Sequence, residues 1–431
     1  MKRVLVLGGY GLIGSEVVAH LLQQGYHVVG HGRSAASSKR ASPKIGWLIR
    51  DLADMVDVES WGQVLQEFDV VVNCAGALQD GARDDLKAVH VDAILALGKS
   101  AAKYGTMLVQ ISAAGVSENA STEFFRTKAQ GDMALLASGA KVIILRPGLV
   151  LSPQSYGGTA LIRQLAAFPL VQPIALADTP IQTVSVRDVA IAVERAIAGD
   201  LPDHAVLELV EEKPNSLSDV VEAHRKWLGF SKASILISMP NWVLRIAAGV
   251  SDALGWLGWR SPLRSTAVEV LKDGVLGDAL PYHMLGGKVS NLDETLASFP
   301  NGAEHRLKAR LSWFVPVGIG VLSAFWLLSG LVGLVSLSGA AEVLTRVGWP
   351  AWAAKVSVVF WAIVDLVLGA AVLYRPWVRM ALIGMLATSL IYIVSASVVT
   401  PSLWLDPLGP LMKLLPICLA ISLMFPLLED R

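Results

Sequence analysis

Cysteine is nearly missing from this chain, with two in 431 residues. Cys74 lies in an apolar strand-like run and Cys418 in a long hydrophobic one, which argues against a disulfide framework or a zinc cluster and fits a reducing compartment. Net charge is missing too: 36 basic and 36 acidic residues cancel, so no overall field draws nucleic acid. No internal repeat or low-complexity segment is visible. Nor is there a spacing suited to a metal ion, a flavin, a haem ligand pair or an iron–sulfur cluster. Hydrophobicity is what the chain has in excess. With 53% hydrophobic residues, a mean hydropathy of +0.53 and a length too great for one ordinary domain, part of it is expected to live in lipid.

Residues 1–210 alternate short β-branched runs with helical patterns at 12–24 and 84–104. The runs "RVLVLG", "HVVGHG", "DVVVNCAG", "MLVQISAAG" and "KVIILRPG" are almost wholly apolar, as strands of a parallel sheet must be when helices cover both faces. This predicts an α/β fold, a Rossmann-like doubly wound parallel sheet. With Lys2 and Arg3 ahead of its apolar residues, the first of these runs superficially resembles a signal peptide, but glycines interrupt it at once, so it reads as a strand. Residues 211–311 form a less regular connecting region that completes this unit on its substrate side, with helices expected at 218–228 and 241–257. The latter carries Trp242 and Trp256, with Trp259 just beyond. Having few lysines or arginines, it is expected to pack under the α/β domain rather than lie on a membrane surface.

After "HRLKAR" the composition changes. Runs at 313–335, 356–374, 377–399 and 408–428 are each close to the ~20 apolar helical residues that cross a bilayer core, which predicts an all-α four-helix transmembrane domain over 312–431. His305, Arg306, Lys308 and Arg310 precede the first run, Arg375 and Arg379 separate the second and third, and the next loop has no lysine or arginine. The positive-inside bias then places the N-terminal domain and the C-terminus in the cytoplasm, as for a multi-pass protein of a bacterial inner membrane; Arg346 and Lys355 count mildly against it.

"VLVLGGYGLIGSEVV" places Gly8, Gly9, Gly11 and Gly14, with Tyr10, Leu12 and Ile13 among them, between a strand and a helix. A chain that turns sharply and approaches a pyrophosphate needs glycine, and the helix N-terminus offers unpaired N–H groups to the phosphates. The second strand ends in Arg33 and Ser34, where an NAD site commonly has an acidic residue; arginine there suits a 2′-phosphate and points to NADP over NAD.

With "RDL" at 50–52, "VVNCAGA" at 71–77, "QISAAG" and "RPG" added, the chain resembles an atypical short-chain dehydrogenase/reductase of the extended type, close to the complex I accessory-subunit and NmrA-like or isoflavone-reductase-like branches. The resemblance covers roughly residues 1–300. It implies that Asp51 and Leu52 contact the adenine, that Asn73, Ala75 and Gly76 line the cofactor, and that Pro147 and Gly148 pass near the nicotinamide. In that family a tyrosine exchanges the substrate proton, a lysine four residues later lowers its pKa and holds the ribose, and a serine orients the substrate oxygen. Ser112 and Lys128 match the serine and the lysine; the tyrosine position is Phe124, which has no proton to exchange. Tyr156 in "SPQSYGG" is a possible substitute, and Tyr10 has a less suitable place.

Residues 312–431 resemble DoxX-like four-helix membrane proteins, most specifically in "DPLGPLMKLLP". Asp365, a carboxylate at membrane depth, is a functional or partner-binding candidate, with Lys413 as its conceivable partner. Three readings stay open. The first is a membrane-anchored NADP-dependent oxidoreductase acting on an apolar or quinone-like substrate. The second is a non-catalytic NADPH sensor or accessory subunit with a membrane-protein partner, and the third, weakened most by Phe124, is a nucleotide-sugar epimerase.

Overall fold

The structure is a computed structural model that describes residues 2–78, 80, 85–154, 157–169, 171–233, 235–259, 261, 263–407 and 409–428. It divides into two compact units, Met1–Asp252 with Ser261–Arg306, and Ala253–Arg260 with Leu307–Arg431.

The first unit is built on β1 (Arg3–Leu7), β2 (His27–Gly32), β3 (Gly46–Ile49), β4 (Val70–Asn73), β5 (Met107–Ile111) and β6 (Val142–Pro147), with Val206–Leu209 at the edge. The order across this seven-stranded sheet is Val206–Leu209, β6, β5, β4, β1, β2, β3, and every ladder is parallel. The order reverses between β1 and β4, which opens a crevice beyond their C-terminal ends, where doubly wound sheets bind ligands. Alternation along β1 shows why its run is apolar throughout. Val4 and Val6 enter one core with Val17 and Val18 of α1 (Leu12–Gln23) and Val189 and Val193 of the Val186–Ala198 helix. Leu5 and Leu7 enter the other, with Trp61, Leu97 and Leu108.

A buried carboxylate fastens the connecting region to this unit. Glu211 accepts hydrogen bonds from Thr183 N and Oγ1, both at 2.7 Å, and from Leu292 N at 3.0 Å. The Leu217–Trp227 helix begins with a reciprocal cap between Ser216 and Asp219. The Asn241–Trp256 helix departs from expectation: only Ala248 and Ser251 are buried, while Trp242, Ile246, Val250 and Trp256 are exposed. These four side chains are therefore uncovered, while Val243, Leu244 and Leu254 are half-buried.

In the second unit the helices Phe314–Val335, Ala351–Ala371, Val378–Val399 and Pro410–Leu427 form four segments long and apolar enough to cross a membrane. The second starts directly after Pro350, five residues before the hydropathy run suggests, so Lys355 lies inside it. A helix at Leu337–Thr345, too short to leave a clear periodic signal, was not expected. Glycine lets the first two spans approach. A Cβ on Gly330 would lie 2.6 Å from Ala362 O, and one on Gly369 would lie 2.9 Å from Leu327 N.

Candidate functional site

The turn after β1 is shaped by contacts that exclude side chains. Gly8 has φ +67°, and a Cβ there would meet Ala75 Cα at 2.9 Å; one on Gly14 would meet Gly8 O at 2.2 Å. Gly11 N donates to Gly8 O at 2.8 Å, and Gly11 itself caps α1 with no side chain to occupy the helix N–H groups. No acidic residue lies in the first turn of α1, so its positive dipole end is not neutralised locally. The Leu12–Ile13–Gly14 stretch forms that first turn.

Beside it, the Tyr10 ring presses on Gly32, where an added Cβ would lie 2.1 Å from Cε1. Trp47, which lies against Gly30, is 6.2 Å from the Tyr10 ring. Tyr10 thus packs on the β2 side of the turn. Arg33 Nη1 is 3.9 Å from Asp51 Oδ2, with both side chains about one-third exposed. Asp51 Oδ1 accepts from Ala53 N, which holds the short turn at Leu52, and Ser34 Oγ accepts from Ser37 N. Arg33, Ser34, Asp51 and Leu52 are therefore brought together at one end of the site.

On the other side of β1, Asn73 Oδ1 accepts from Ala75 N at 3.0 Å while its Nδ2 donates to Gln110 at 2.9 Å, fixing the loop through Gly76. His90 fastens the next turn of that loop. Its Nε2 accepts from Ala77 N at 3.2 Å, which leaves the proton on Nδ1, 3.0 Å from Thr127 Oγ1. Burial pushes this imidazole down to about 3, with nearby Lys128 adding to the effect. A neutral ring with both nitrogens engaged is poorly suited to act as a base.

Lys128 is buried on the Glu123–Leu136 helix. Its Nζ donates to Ile111 O at 3.1 Å and lies 5.8 Å from the Phe124 ring centre and 3.7 Å from where a Cβ on Gly76 would be. Burial lowers its pKa, opposed chiefly by the Asp132 carboxylate. Phe124 packs edge-on against His90, at 5.8 Å, and beside Phe125. Ser112 directly follows β5, but its hydroxyl donates to Asp132 Oδ2 at 2.7 Å, and the same oxygen receives Arg146 at 3.0 Å. Burial raises the Asp132 pKa, opposed by Ser112, Arg146 and Lys128. A substrate oxygen would have to compete with this carboxylate for the serine.

Pro147 O accepts from Ala114 N at 2.9 Å, and Gly148 passes so close to Gln182 O that a Cβ would lie 2.4 Å away. Tyr156 falls outside the described residues. The sequence reading missed His90, Thr127, Asp132, Arg146 and Trp47. Asp132 had a usable signal: it is four residues, one helical turn, beyond Lys128.

In the helical unit Asp365 is buried and accepts from Ser329 Oγ at 2.8 Å. Lys413, the conceivable partner, is exposed in the first turn of the last helix and forms no ion pair with Asp365 among the described residues; the partner seen is a serine on the first span. The rings of Trp361, four residues before Asp365, and Tyr392, on the next span, lie 5.6 Å apart and tilted by 52°.

Fold and site define the class: a doubly wound dinucleotide-binding unit joined to a membrane-type helical unit. Residues 4–200 match the NAD dependent epimerase/dehydratase family, and residues 323–422 match the DoxX-like family. The chain is a fusion of an epimerase/short-chain-dehydrogenase-like domain with a DoxX-like membrane domain. It is 24% identical over 255 residues to the mitochondrial NADH-ubiquinone oxidoreductase 40 kDa subunit of Neurospora crassa, covering 58% of this chain and 66% of that one. It is 27% identical over 163 residues to methionine adenosyltransferase 2 subunit beta of Bos taurus, covering 34% and 46%. The chain thus spans just under two thirds of the first relative and under half of the second. Among solved structures, the Bordetella bronchiseptica enzymes WbmH with NAD+ (TM-score 0.53, 18% identity, 72% of this chain and 98% of that) and WbmG with NAD (0.52, 17%, 73% and 94%) share the fold.

Proposed function

We propose that this is a membrane-anchored, NADP-preferring oxidoreductase of the atypical short-chain type, acting on an apolar or quinone-like acceptor. The observation that carries it is the pairing of a buried Lys128 with Phe124. Of the three hydrogen bonds an ammonium can donate, Lys128 makes one among the described residues, which leaves donors for the nicotinamide ribose hydroxyls. Gly8, Gly11 and the N-terminus of α1 suit the pyrophosphate, and Arg33 suits a 2′-phosphate. A bound nicotinamide would supply hydride. Phe124 withholds the phenol that a carbonyl or a sugar hydroxyl would need, which disfavours an epimerase. A quinone-like acceptor takes the hydride from the reduced cofactor and its proton from water, so this chemistry does not require that residue.

A second reading, a non-catalytic NADPH-binding sensor or accessory subunit, is favoured by one observation: both curated relatives bear names of subunits of larger enzymes. In either reading the basic residues flanking the spans support a bacterial inner-membrane protein with its first unit and C-terminus in the cytoplasm. The buried Asp365–Ser329 pair supports a functional polar position, or one for a membrane-protein partner. Binding and turnover with NADPH and NADH, on detergent-solubilised protein with quinone added or omitted, test the proposal. Tight NADPH binding with quinone-dependent oxidation supports the oxidoreductase. Tight binding with unchanged nicotinamide absorbance across quinones, aldehydes and lipid ketones refutes it and leaves the accessory role.

A further inference from the structure

The Asn241–Trp256 helix is turned inside out for a water-soluble domain. Trp242 is 61% exposed, Ile246 59%, Val250 55% and Trp256 68%. With Ala253 these residues span an arc of about 120° at the angular step of an α-helix. The preceding strand, Ile235–Ser238, is exposed at every position as well. The opposite side of the helix is the one tied down. Ser251 Oγ receives Ser261 Oγ at 3.1 Å, and Asp252 Oδ1 receives Ser265 N at 3.3 Å and Arg264 Nε at 3.4 Å. Four large apolar side chains exposed together on one helix face mark an interaction surface.

The residues just beyond the helix indicate the occupant. Leu257 O accepts from Arg375 N at 2.9 Å, and Trp259 Nε1 donates to Leu373 O at 2.6 Å. The Arg375 guanidinium lies 5.3 Å from the Trp259 ring and donates to Leu428 O at 3.0 Å. Leu373 comes after the second span, Arg375 opens the third and Leu428 comes after the fourth. Leu257 and Trp259, directly after the helix, are therefore held at the ends of the second, third and fourth spans, and the ends of bilayer-crossing helices fall at the polar border of the lipid.

We propose that the Asn241–Trp256 helix lies in the bilayer interface, with Trp242, Ile246, Val250 and Trp256 inserted among the lipids. Arg245 is the only basic residue in the helix and borders the exposed arc. The contact is accordingly apolar insertion rather than attraction to anionic headgroups, and salt does not release it. Insertion reaches about 5–10 Å below the headgroups, the depth usual for such helices.

The test uses the full chain in phosphatidylcholine nanodiscs. Trp242→Cys and, separately, Val250→Cys carry an environment-sensitive fluorophore, and labelled wild type reports the background from Cys74 and Cys418. Glu222→Cys, on the exposed face of the Leu217–Trp227 helix, is the aqueous control. The expected result is blue-shifted emission at both helix positions, with quenching by phosphatidylcholine spin-labelled at shallow acyl carbons several-fold greater than at the control and unchanged by salt. Labels at both positions that are quenched by aqueous iodide like the control overturn the proposal. So does quenching that depends on protein concentration or cross-linking between copies, which assigns the face to a second copy. None of these readouts depends on nucleotide binding or turnover.

Discussion

Replacing Lys128 by methionine separates a ligand-binding ammonium from a structural one, because the two roles predict opposite signs. Burial lowers the pKa of this lysine, so its charge is held at a cost in the folded chain. That cost is fully present below the folded pKa and vanishes as pH rises past 10.5, the value of the unfolded chain. Methionine keeps most of the volume and removes the charge. The lost bond to Ile111 O, charge-assisted like the one to ribose, costs about 1.5–3 kcal/mol, offset by relief of desolvation, and Asp132 keeps Ser112 and Arg146 as partners. Stability at neutral pH is expected to hold or rise, and the gain over wild type should fade at alkaline pH. Nucleotide affinity moves the other way. A charge-assisted hydrogen bond to ribose is worth about 1.5–3 kcal/mol, so the dissociation constant for NADPH should rise about 10- to 150-fold. Isothermal titration on solubilised protein and thermal unfolding of the same samples give both numbers. Unchanged NADPH affinity with reduced stability would show that Lys128 is a structural residue and refute the reasoning.

Phe124→Tyr places a phenol beside the Lys128 ammonium. It should leave NADPH affinity unchanged and raise turnover of carbonyl acceptors but not of quinones; measured by nicotinamide absorbance, equal gains for both classes would contradict the role assigned to Phe124. Arg33→Gln should weaken NADPH by about tenfold or more while sparing NADH, because only the former carries the 2′-phosphate; equal losses in titration would remove the basis for NADP preference. Burial holds His31, His90 and His224 down to about 4, 3 and 4, against 6.5 for the free side chain. They stay neutral in the fold while the unfolded chain takes up protons, so stability is full above pH 6.5 and falls as pH drops below it. The loss is about 2 kcal/mol per histidine by pH 5. A melting temperature that does not change between pH 7 and 5 would show that these rings are not buried.

The doubly wound sheet and the four spans were legible because each rests on a local pattern. Strands buried on both faces are apolar without alternation, as Val4 to Leu7 show, and a span needs only length and hydropathy. The glycine turn was legible for the same reason, since Gly8 and Gly14 stand where no Cβ fits. The start of the second span was misplaced because Lys355 lowers the hydropathy of a helix that Pro350 begins.

Between residues distant in sequence, composition is silent. Phe124 told by itself that the usual proton donor is missing. Only the fold brought His90 against it, turned Ser112 toward Asp132 and Arg146, and left Lys128 with donors to spare. The Asn241–Trp256 helix is the sharpest case. Its periodicity shows that it has an apolar face, but a periodic stripe is the same whether a core or a lipid covers it. The sequence by itself determined the fold class, the phosphate turn and the missing phenol, which depend on backbone space and residue chemistry. Tertiary structure decided which side chains meet and which faces stay uncovered, because those depend on contacts that no local window contains.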